Sequence, residues 1–103
     1  MEQRQHDRFK VECPIAFSGD HVGTGTVYNL GLGGCKIISE SFVSMGDILN
    51  IQLSLPTIMP PIMVHAATVR WAIEGEFGVD FLGMQESERD RLAQFIDTLV
   101  QAA

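Results

Sequence analysis

Features that would assign the chain to a membrane or secreted class are missing from the sequence. The chain of 103 residues contains no apolar run of about eighteen residues, which is the length needed to cross a bilayer. Met1 to Asp7 contain no apolar segment of a secretory signal. The two cysteines, Cys13 and Cys35, are too few for a disulfide framework, which fits a reducing cytoplasm. These absences predict a single small cytoplasmic domain with a modest core.

Positive charge is also scarce. Seven lysines and arginines stand against thirteen aspartates and glutamates, which gives a formal net charge of −6 at pH 7. Duplex DNA or RNA is held mainly through neutralised phosphates, so this balance argues against a long nucleic acid as partner. It leaves room for a small ligand with phosphate groups, because Arg4, Arg8 and Lys10 all lie within the first ten residues.

Apolar side chains alternate along most of the chain, and this period of two predicts short strands. Pro14 cannot donate to a strand ladder, so the first strand is expected to be an edge strand or to be bulged at that position. The proline-rich stretch 56–61 is expected to be a loop. The predicted strands cover residues 9–17, 24–29, 34–39, 48–55, 63–73 and 77–81.

The period changes to that of a helix near the C-terminus, over about residues 86–101. The segment Ser87–Asp90 is expected to be its N-terminal cap. Six short strands and one amphipathic helix predict a small antiparallel barrel or sandwich, with the helix plugging an open end or packing on the side. The apolar stripe consists of Leu92, Phe95, Ile96, Leu99 and Val100.

Two polar motifs interrupt this pattern. Arg4 and Arg8 each offer a planar fork of donors, which fits phosphate oxygens or the O6 and N7 atoms of guanine. Residues 29–34 read Asn-Leu-Gly-Leu-Gly-Gly and offer an amide side chain with bare backbone. Together the motifs indicate a nucleotide receptor. Each has a simpler alternative: a solvated terminus for the arginines, and for Asn29 and Gly34 a tight hairpin in which Asn29 bonds its own backbone.

The order of these motifs resembles the PilZ domain family. Arg-x-x-x-Arg at 4–8 and the turn at 29–34 are followed by Val-Arg-Trp at 69–71 and Gly-Val-Asp-Phe at 78–81, and the likeness runs from about Arg4 to Leu99. It implies an all-β fold with one C-terminal α-helix, a six-stranded antiparallel β-barrel. It also implies binding of the bacterial second messenger cyclic di-GMP through the signatures RxxxR and (D/N)xSxxG. Gly31 departs from the pattern, because the family has serine there.

The resemblance implies that Arg4, Arg8, Asn29, Gly31 and Gly34 contact cyclic di-GMP, without any further cofactor. The missing serine hydroxyl at Gly31 is expected to weaken binding by about tenfold or less. Residues 1–8 are expected to be a mobile arm that clamps the ligand and then engages a separate protein, or another copy of the chain. The alternative is a PilZ domain that has lost the ligand and serves as a protein interaction module.

The same resemblance makes Arg70 and Trp71 possible further ligand contacts. Alternation, however, places Trp71 with Val69 on the apolar face and favours a core position, while Arg70 points the other way and could reach a phosphate. The residues leave open the partner, the pathway (motility or polysaccharide export, for example), the oligomeric state, and whether one ligand or a stacked pair binds.

Other chemistry has little support in the sequence. No CxxC or HxxxH spacing is present, so Cys13 and Cys35 are expected to be small buried apolar residues and no metal site is predicted. Acidic residues 74, 76 and 80 flank a glycine turn without a nucleophile beside them, which favours solvated charges over catalysis. The stretch 58–63 is apolar for a loop and is expected to face the core, or to form a protein-docking patch where exposed.

Overall fold

The computed structural model describes residues 8–102, which form six strands and one helix. No helix in that part of the chain has the length and apolar content needed to cross a bilayer. The six predicted strands are all present within a few residues of their expected bounds, and so is the helix. The elements are β1 (Phe9–Gly19), β2 (Gly23–Leu30), β3 (Gly34–Ile38), β4 (Ile48–Leu53), β5 (Ile62–Ile73), β6 (Glu76–Gly83) and α1 (Glu86–Ala102).

The strands close into an antiparallel barrel in the order β1-β2-β3-β6-β5-β4. Pairing of β1 with β4 completes the closure, so β1 is not an edge strand and that alternative for Pro14 is wrong. The β1–β2 pairing shifts register between Lys10 and Cys13, immediately before Pro14. The proline carbonyl still serves the backbone, because it accepts a hydrogen bond from the Ser54 amide at 3.0 Å.

Alternation determines which side chains fill the barrel. The β1 residues Cys13, Ile15 and Phe17 point inward and are at most 4% exposed. Across the core, the rings of Phe17 and Phe77 meet edge to face with centroids 5.6 Å apart. Full burial of an apolar side chain of this size stabilises the fold by about 1.5–3 kcal/mol. The core residues of β4 are Leu49, Ile51 and Leu53, all fully buried as their period predicts.

Helix α1 begins at Glu86, but its N-terminal cap differs from the predicted one. The Arg89 amide donates to the Gln85 carbonyl at 2.9 Å, which is the first helical hydrogen bond. Ser87 therefore lies inside the first turn, and its assignment to the cap is wrong. The acidic character of that turn remains, since Glu86 and Glu88 both lie close to the positive end of the helix dipole.

The apolar stripe of α1 joins the barrel core, where the helix packs against β5. Leu92, Phe95 and Ile96 are buried, whereas Val100 at the far end is 49% exposed. In the β4–β5 loop that precedes β5, Ile58 packs on the core but Met59 is 82% exposed. The apolar stretch 58–63 therefore faces the core only in part.

Trp71 does not lie in the core. Val69 is buried inside the barrel, but the β5–β6 pairing shifts register between Val69 and Trp71. A shift of one residue sends the following side chains to the other face of a strand. Trp71 is consequently half-buried on the outer face beside Gly78, and the expected core position is wrong.

Candidate functional site

The turn between β2 and β3 is held in place by two backbone hydrogen bonds. The Gly31 amide donates to the Gly34 carbonyl at 2.9 Å and closes the turn. The Phe81 amide donates to the Gly33 carbonyl at 2.8 Å and ties the turn to β6. Gly31 and Gly34 are both buried. The motif at residues 29–34 therefore forms a fixed wall at one end of β3.

Gly34 allows a close approach of three parts of the chain. A Cβ atom at this position would overlap the Val79 carbonyl oxygen and would lie 3.2 Å from Nη2 of Arg8. Gly34 is not among the residues with positive φ, so close packing and not backbone conformation requires glycine here. The structure thus brings Arg8 of the first motif beside Gly34 of the second. Arg4 lies outside the described residues.

Asn29 ends in a buried acceptor without a donor. Its side-chain Oδ1 atom has no hydrogen-bond partner in the part of the chain that the structure describes. A turn-forming asparagine would use this atom on its own backbone, and Asn29 does not. A buried unsatisfied acceptor costs about 1–3 kcal/mol, and an N–H donor of a ligand would remove that cost.

Asn29 belongs to a row of five residues across the outside of the barrel, here called the outer row. Directly paired residues of antiparallel neighbours project to the same side. The chain of pairs is Lys10↔Asn29, Asn29↔Lys36, Lys36↔Gly78 and Gly78↔Trp71. A Cβ atom at Gly78 would overlap the indole, so glycine makes room for Trp71. The Lys36 Nζ atom lies 6.0 Å from the indole centroid, at the limit of a cation–π contact.

Two arginines share a cavity with Asp80, and a third forms an ion pair with it. A cavity of about 290 Å³ is lined by Arg8, Arg89, Asp80 and residues 33 and 81–82. Arg70 Nε lies 3.6 Å from Asp80 Oδ2, with both side chains well exposed. Exposed ion pairs of this kind are weak, so an incoming phosphate can compete for the guanidinium. Arg89 was missed by sequence reasoning, because its place in the first helical turn indicated only a cap.

These contacts explain how an acidic chain can offer an anion site. The structure describes six lysines and arginines, and five of them lie at the turn, along the outer row or around Asp80. The sixth, Arg91, pairs with Glu88 at 2.8 Å on the helix. The other described cations therefore lie at the turn, along the outer row and around Asp80. Alternation along β3 already pointed Lys36 outward, and this signal could have added it to the sequence prediction.

The cysteines do not add a nucleophile to the site. Burial raises the pKa of Cys35 to about 12, while the nearby Arg8 charge acts in the opposite direction. Burial likewise raises the pKa of Cys13. Both are neutral thiols at physiological pH. Within residues 8–102 no three histidine, cysteine or acidic side chains are grouped as metal ligands would be.

Comparisons with known proteins agree with this architecture. The family model described as PilZ domain matches residues 2–98. The chain is 18% identical to the inhibitor of motility MotI/DgrA of Bacillus subtilis, with a TM-score of 0.78 over 98% of this chain and 53% of the other. It therefore spans about half the length of that protein. It is 14% identical to the PilZ domain of CeSA from a cellulose-synthesizing bacterium, with a TM-score of 0.69 over 89% and 96% of the two chains. No curated protein matches the sequence.

Proposed function

The chain belongs to the PilZ domain family, and we propose from the geometry of its site that it is a receptor for cyclic di-GMP. One observation carries the proposal: the Arg8 guanidinium lies beside Gly34, so that two motifs 26 residues apart form one site. The proposed ligand contacts are Arg4, Arg8, Asn29, Gly31 and Gly34, with Arg70 and Trp71 beside them.

The chemistry of each proposed contact suits a guanine nucleotide. The Arg8 fork can form two parallel bonds to a phosphate or to guanine O6 and N7, and this geometry is not available to lysine. The unsatisfied Oδ1 atom of Asn29 can accept a hydrogen bond from a guanine N–H group. Trp71 presents a half-buried aromatic face on the same outer row, and an aromatic face of this kind can stack on any nucleobase.

We propose that the signal passes to another protein. Arg4 and Arg8 would clamp the ligand against the turn, and the ligand with residues 1–8 would form a new surface for the partner. The part played by Arg4 stays a prediction, because residues 1–7 lie outside the described residues. Similarity to a protein named as an inhibitor of motility supports a regulatory role and does not assign a pathway.

A second function is favoured by one residue. Gly31 stands where the family has serine, and it is buried within the turn. If that hydroxyl is indispensable, the domain is an interaction module that no longer binds cyclic di-GMP. The other contacts argue against this alternative, since Arg8 is in place at Gly34 and the Asn29 acceptor has no partner within the described chain.

Calorimetric titration with cyclic di-GMP separates the two functions. We expect saturable heat with the parent chain, and its loss in Arg4→Ala and in Arg8→Ala. Cyclic di-AMP is the matched control ligand, because adenine lacks the O6 acceptor that an arginine fork recognises. Absence of heat in the folded parent at high ligand concentration would refute the receptor function and favour the interaction module.

Gly31→Ser tests the departure from the family pattern. The Gly31 amide that closes the turn is retained in this variant, and a hydroxyl is added. One regained hydrogen bond is worth about 0.5–1.5 kcal/mol, so affinity for cyclic di-GMP should rise by up to about tenfold. Gly31→Ala is the control, because it adds the Cβ atom without the hydroxyl. Equal affinities of Gly31→Ser and the parent would contradict the role given to the hydroxyl.

A further inference from the structure

A larger cavity lies at the other end of β3 from the ligand site. Its volume is about 690 Å³, and it is formed by residues 23–25, 38–42 and 74–75, here called the distal groove. Strand β3 runs from Gly34 at the ligand site to Ile38 at the groove. Four residues of a strand cover about 13 Å, so the distal groove is separate from Gly34 and the Arg8 guanidinium beside it. The outer row comes closer, since Lys36 lies two residues before Ile38, but it shares no residue with the groove.

The distal groove exists because β2 extends beyond β3. The β2–β3 pairing ends at Thr26↔Ile38, although β2 begins at Gly23. Ser39 Oγ donates to the Thr24 carbonyl at 2.6 Å and accepts from the Ser41 amide at 3.1 Å. These bonds fold the chain after β3 beside the free part of β2. A Cβ atom at Gly25 would overlap the Ile38 carbonyl, so glycine is needed for this close contact.

Apolar and acidic side chains share the surface of the groove. Phe42 is 76% exposed and Ile38 is 49% exposed, and the neighbouring Ile73 is 63% exposed. Glu40 and Glu74 also line the groove and are exposed. Among the described residues no lysine, arginine or histidine lines it, and neither glutamate has an ion pair within residues 8–102. Its charge is thus opposite to that of the ligand site.

We propose that the distal groove docks a partner protein through a segment that combines lysine or arginine with apolar side chains. The apolar side chains would cover Phe42 and Ile38, and the basic ones would neutralise Glu40 and Glu74. Charge decides between this partner and a second copy of the chain. A two-fold symmetric contact would place the two copies of Glu40 and Glu74 against each other, and such juxtaposition of like charges disfavours association.

A random peptide library displayed on phage tests the groove while the partner is unidentified. The immobilised parent chain is panned, and the enriched phage are afterwards compared on the parent and on Glu40→Gln/Glu74→Gln. We expect enriched peptides that carry basic residues next to aliphatic or aromatic ones. A synthetic copy of the most enriched peptide should bind the parent chain, and more weakly as salt is raised. Amide shifts in NMR should change at residues 38–42 and 74–75.

Matched variants separate docking from general attraction to an acidic chain. Glu40→Gln/Glu74→Gln should weaken peptide binding by about tenfold, while Glu12→Gln/Glu86→Gln, with the same change in net charge, should not. Phe42→Ser should weaken binding, and Met59→Ser, at a similarly exposed side chain, should not. All of these side chains are exposed, so the variants should remain folded, and far-UV circular dichroism would verify that they do.

Three outcomes would overturn the proposal. In the first, panning enriches no peptide that discriminates the parent from Glu40→Gln/Glu74→Gln. In the second, the two glutamate pairs weaken binding equally. In the third, sedimentation detects a dimer of the parent that Phe42→Ser abolishes, so that a second copy occupies the groove. Retained binding of cyclic di-GMP by Glu40→Gln/Glu74→Gln is expected, because the two sites share no residue.

Discussion

At the scale of single residues, two glycines shape the candidate ligand site by lacking a side chain. Gly34 lets the Val79 carbonyl and the Arg8 guanidinium come close to the turn. Gly78 leaves the space on the outer row that the Trp71 indole occupies. In both cases neighbouring atoms already fill the position of a Cβ atom. These glycines are therefore required by packing, and their replacement has consequences for stability as well as for binding.

Gly34→Ala should impair both the fold and the site. Its methyl group would overlap the Val79 carbonyl and press on Arg8, and overpacking of this kind costs about 1–3 kcal/mol. Urea unfolding should show that loss, and calorimetry should show weaker binding of cyclic di-GMP. Gly83→Ala is the control, because its Cβ would lie 3.4 Å from the nearest atom, an ordinary contact. A stable Gly34→Ala with parental affinity would contradict the packing described here.

Asn29→Leu should separate stability from binding. Leucine removes a buried acceptor that has no donor among residues 8–102, so the free energy of unfolding should stay unchanged or rise by about 1 kcal/mol. Affinity for cyclic di-GMP should fall, because the same acceptor is the proposed contact to guanine. Asn50→Leu, on the exposed face of β4, is the control. A clear loss of stability in Asn29→Leu alone would instead assign Asn29 a structural role.

At the scale of elements, α1 is attached to the barrel by polar contacts as well as by its apolar stripe. The Met63 amide donates to Glu88 Oε1 at 2.8 Å, and Arg91 donates to the other carboxylate oxygen at 2.8 Å. Arg91 also donates to the Pro60 carbonyl. These bonds join the first turns of the helix to the start of β5. Arg89, one residue after Glu88, is thereby held at the Asp80 cavity.

Stability should depend on pH through Glu88. The hydrogen bond from the Met63 amide, aided by Arg91, lowers the pKa of Glu88 below its ordinary value of 4.5, although burial opposes this. A lowered folded-state pKa means that the unfolded chain takes up the proton first. The stabilisation by Glu88 is therefore complete above about pH 4.5 and is lost as the pH falls through the lower folded-state pKa.

Glu88→Gln measures this contribution. At pH 7 the free energy of unfolding of the variant should be about 1 kcal/mol lower than that of the parent. The difference should shrink as the pH is lowered below the ordinary pKa of glutamate, and urea unfolding across that range would follow it. Glu86→Gln, an exposed residue of the same turn that loses only its interaction with the helix dipole, should lose less stability than Glu88→Gln. A difference that is constant with pH would show that protonation of Glu88 is not its source.

At the scale of the whole molecule, charge is segregated despite the net value of −6. Five of the six described cations lie at the turn, along the outer row, in the Asp80 cavity or, as Arg70, in an ion pair with Asp80, and the distal groove carries glutamates without a cation among its described lining residues. A local positive region attracts phosphate groups even in an acidic protein, because salt screens interactions beyond about 10 Å at 0.1 M. Ligand and partner would thus meet surfaces of opposite sign.

Lys36→Gln should lower the affinity for cyclic di-GMP by about threefold, as expected for one partly exposed charge. It should also make binding less sensitive to salt than in the parent. Calorimetric titration over a series of sodium chloride concentrations would measure both effects. Sucrose at matched osmolality is the control for non-electrostatic effects of added solute. If binding depends on salt equally in the two proteins, Lys36 makes no electrostatic contribution to ligand binding.

Periodicity and short motifs in the sequence are enough to specify the strands, the helix and the two polar signatures. The inward positions of Ile15 in β1, of Ile51 in β4 and of the α1 stripe follow from periods of two and 3.6, which are local properties of a chain. The Arg-x-x-x-Arg motif at 4–8 and the motif at residues 29–34 are local patterns as well. For this reason the strands and the helix could be predicted from periodicity, which left a barrel or a sandwich open. The resemblance to a known family favoured the barrel, and the ligand contacts stay a prediction.

The meeting of distant residues depends on tertiary packing. Trp71 lies outside the barrel because the β5–β6 register shifts after Val69, and Arg89 reaches the Asp80 cavity because α1 docks on β5. The distal groove likewise depends on where β3 ends relative to β2. Register shifts and strand overhangs are set by packing between elements and have no periodic signal in the sequence.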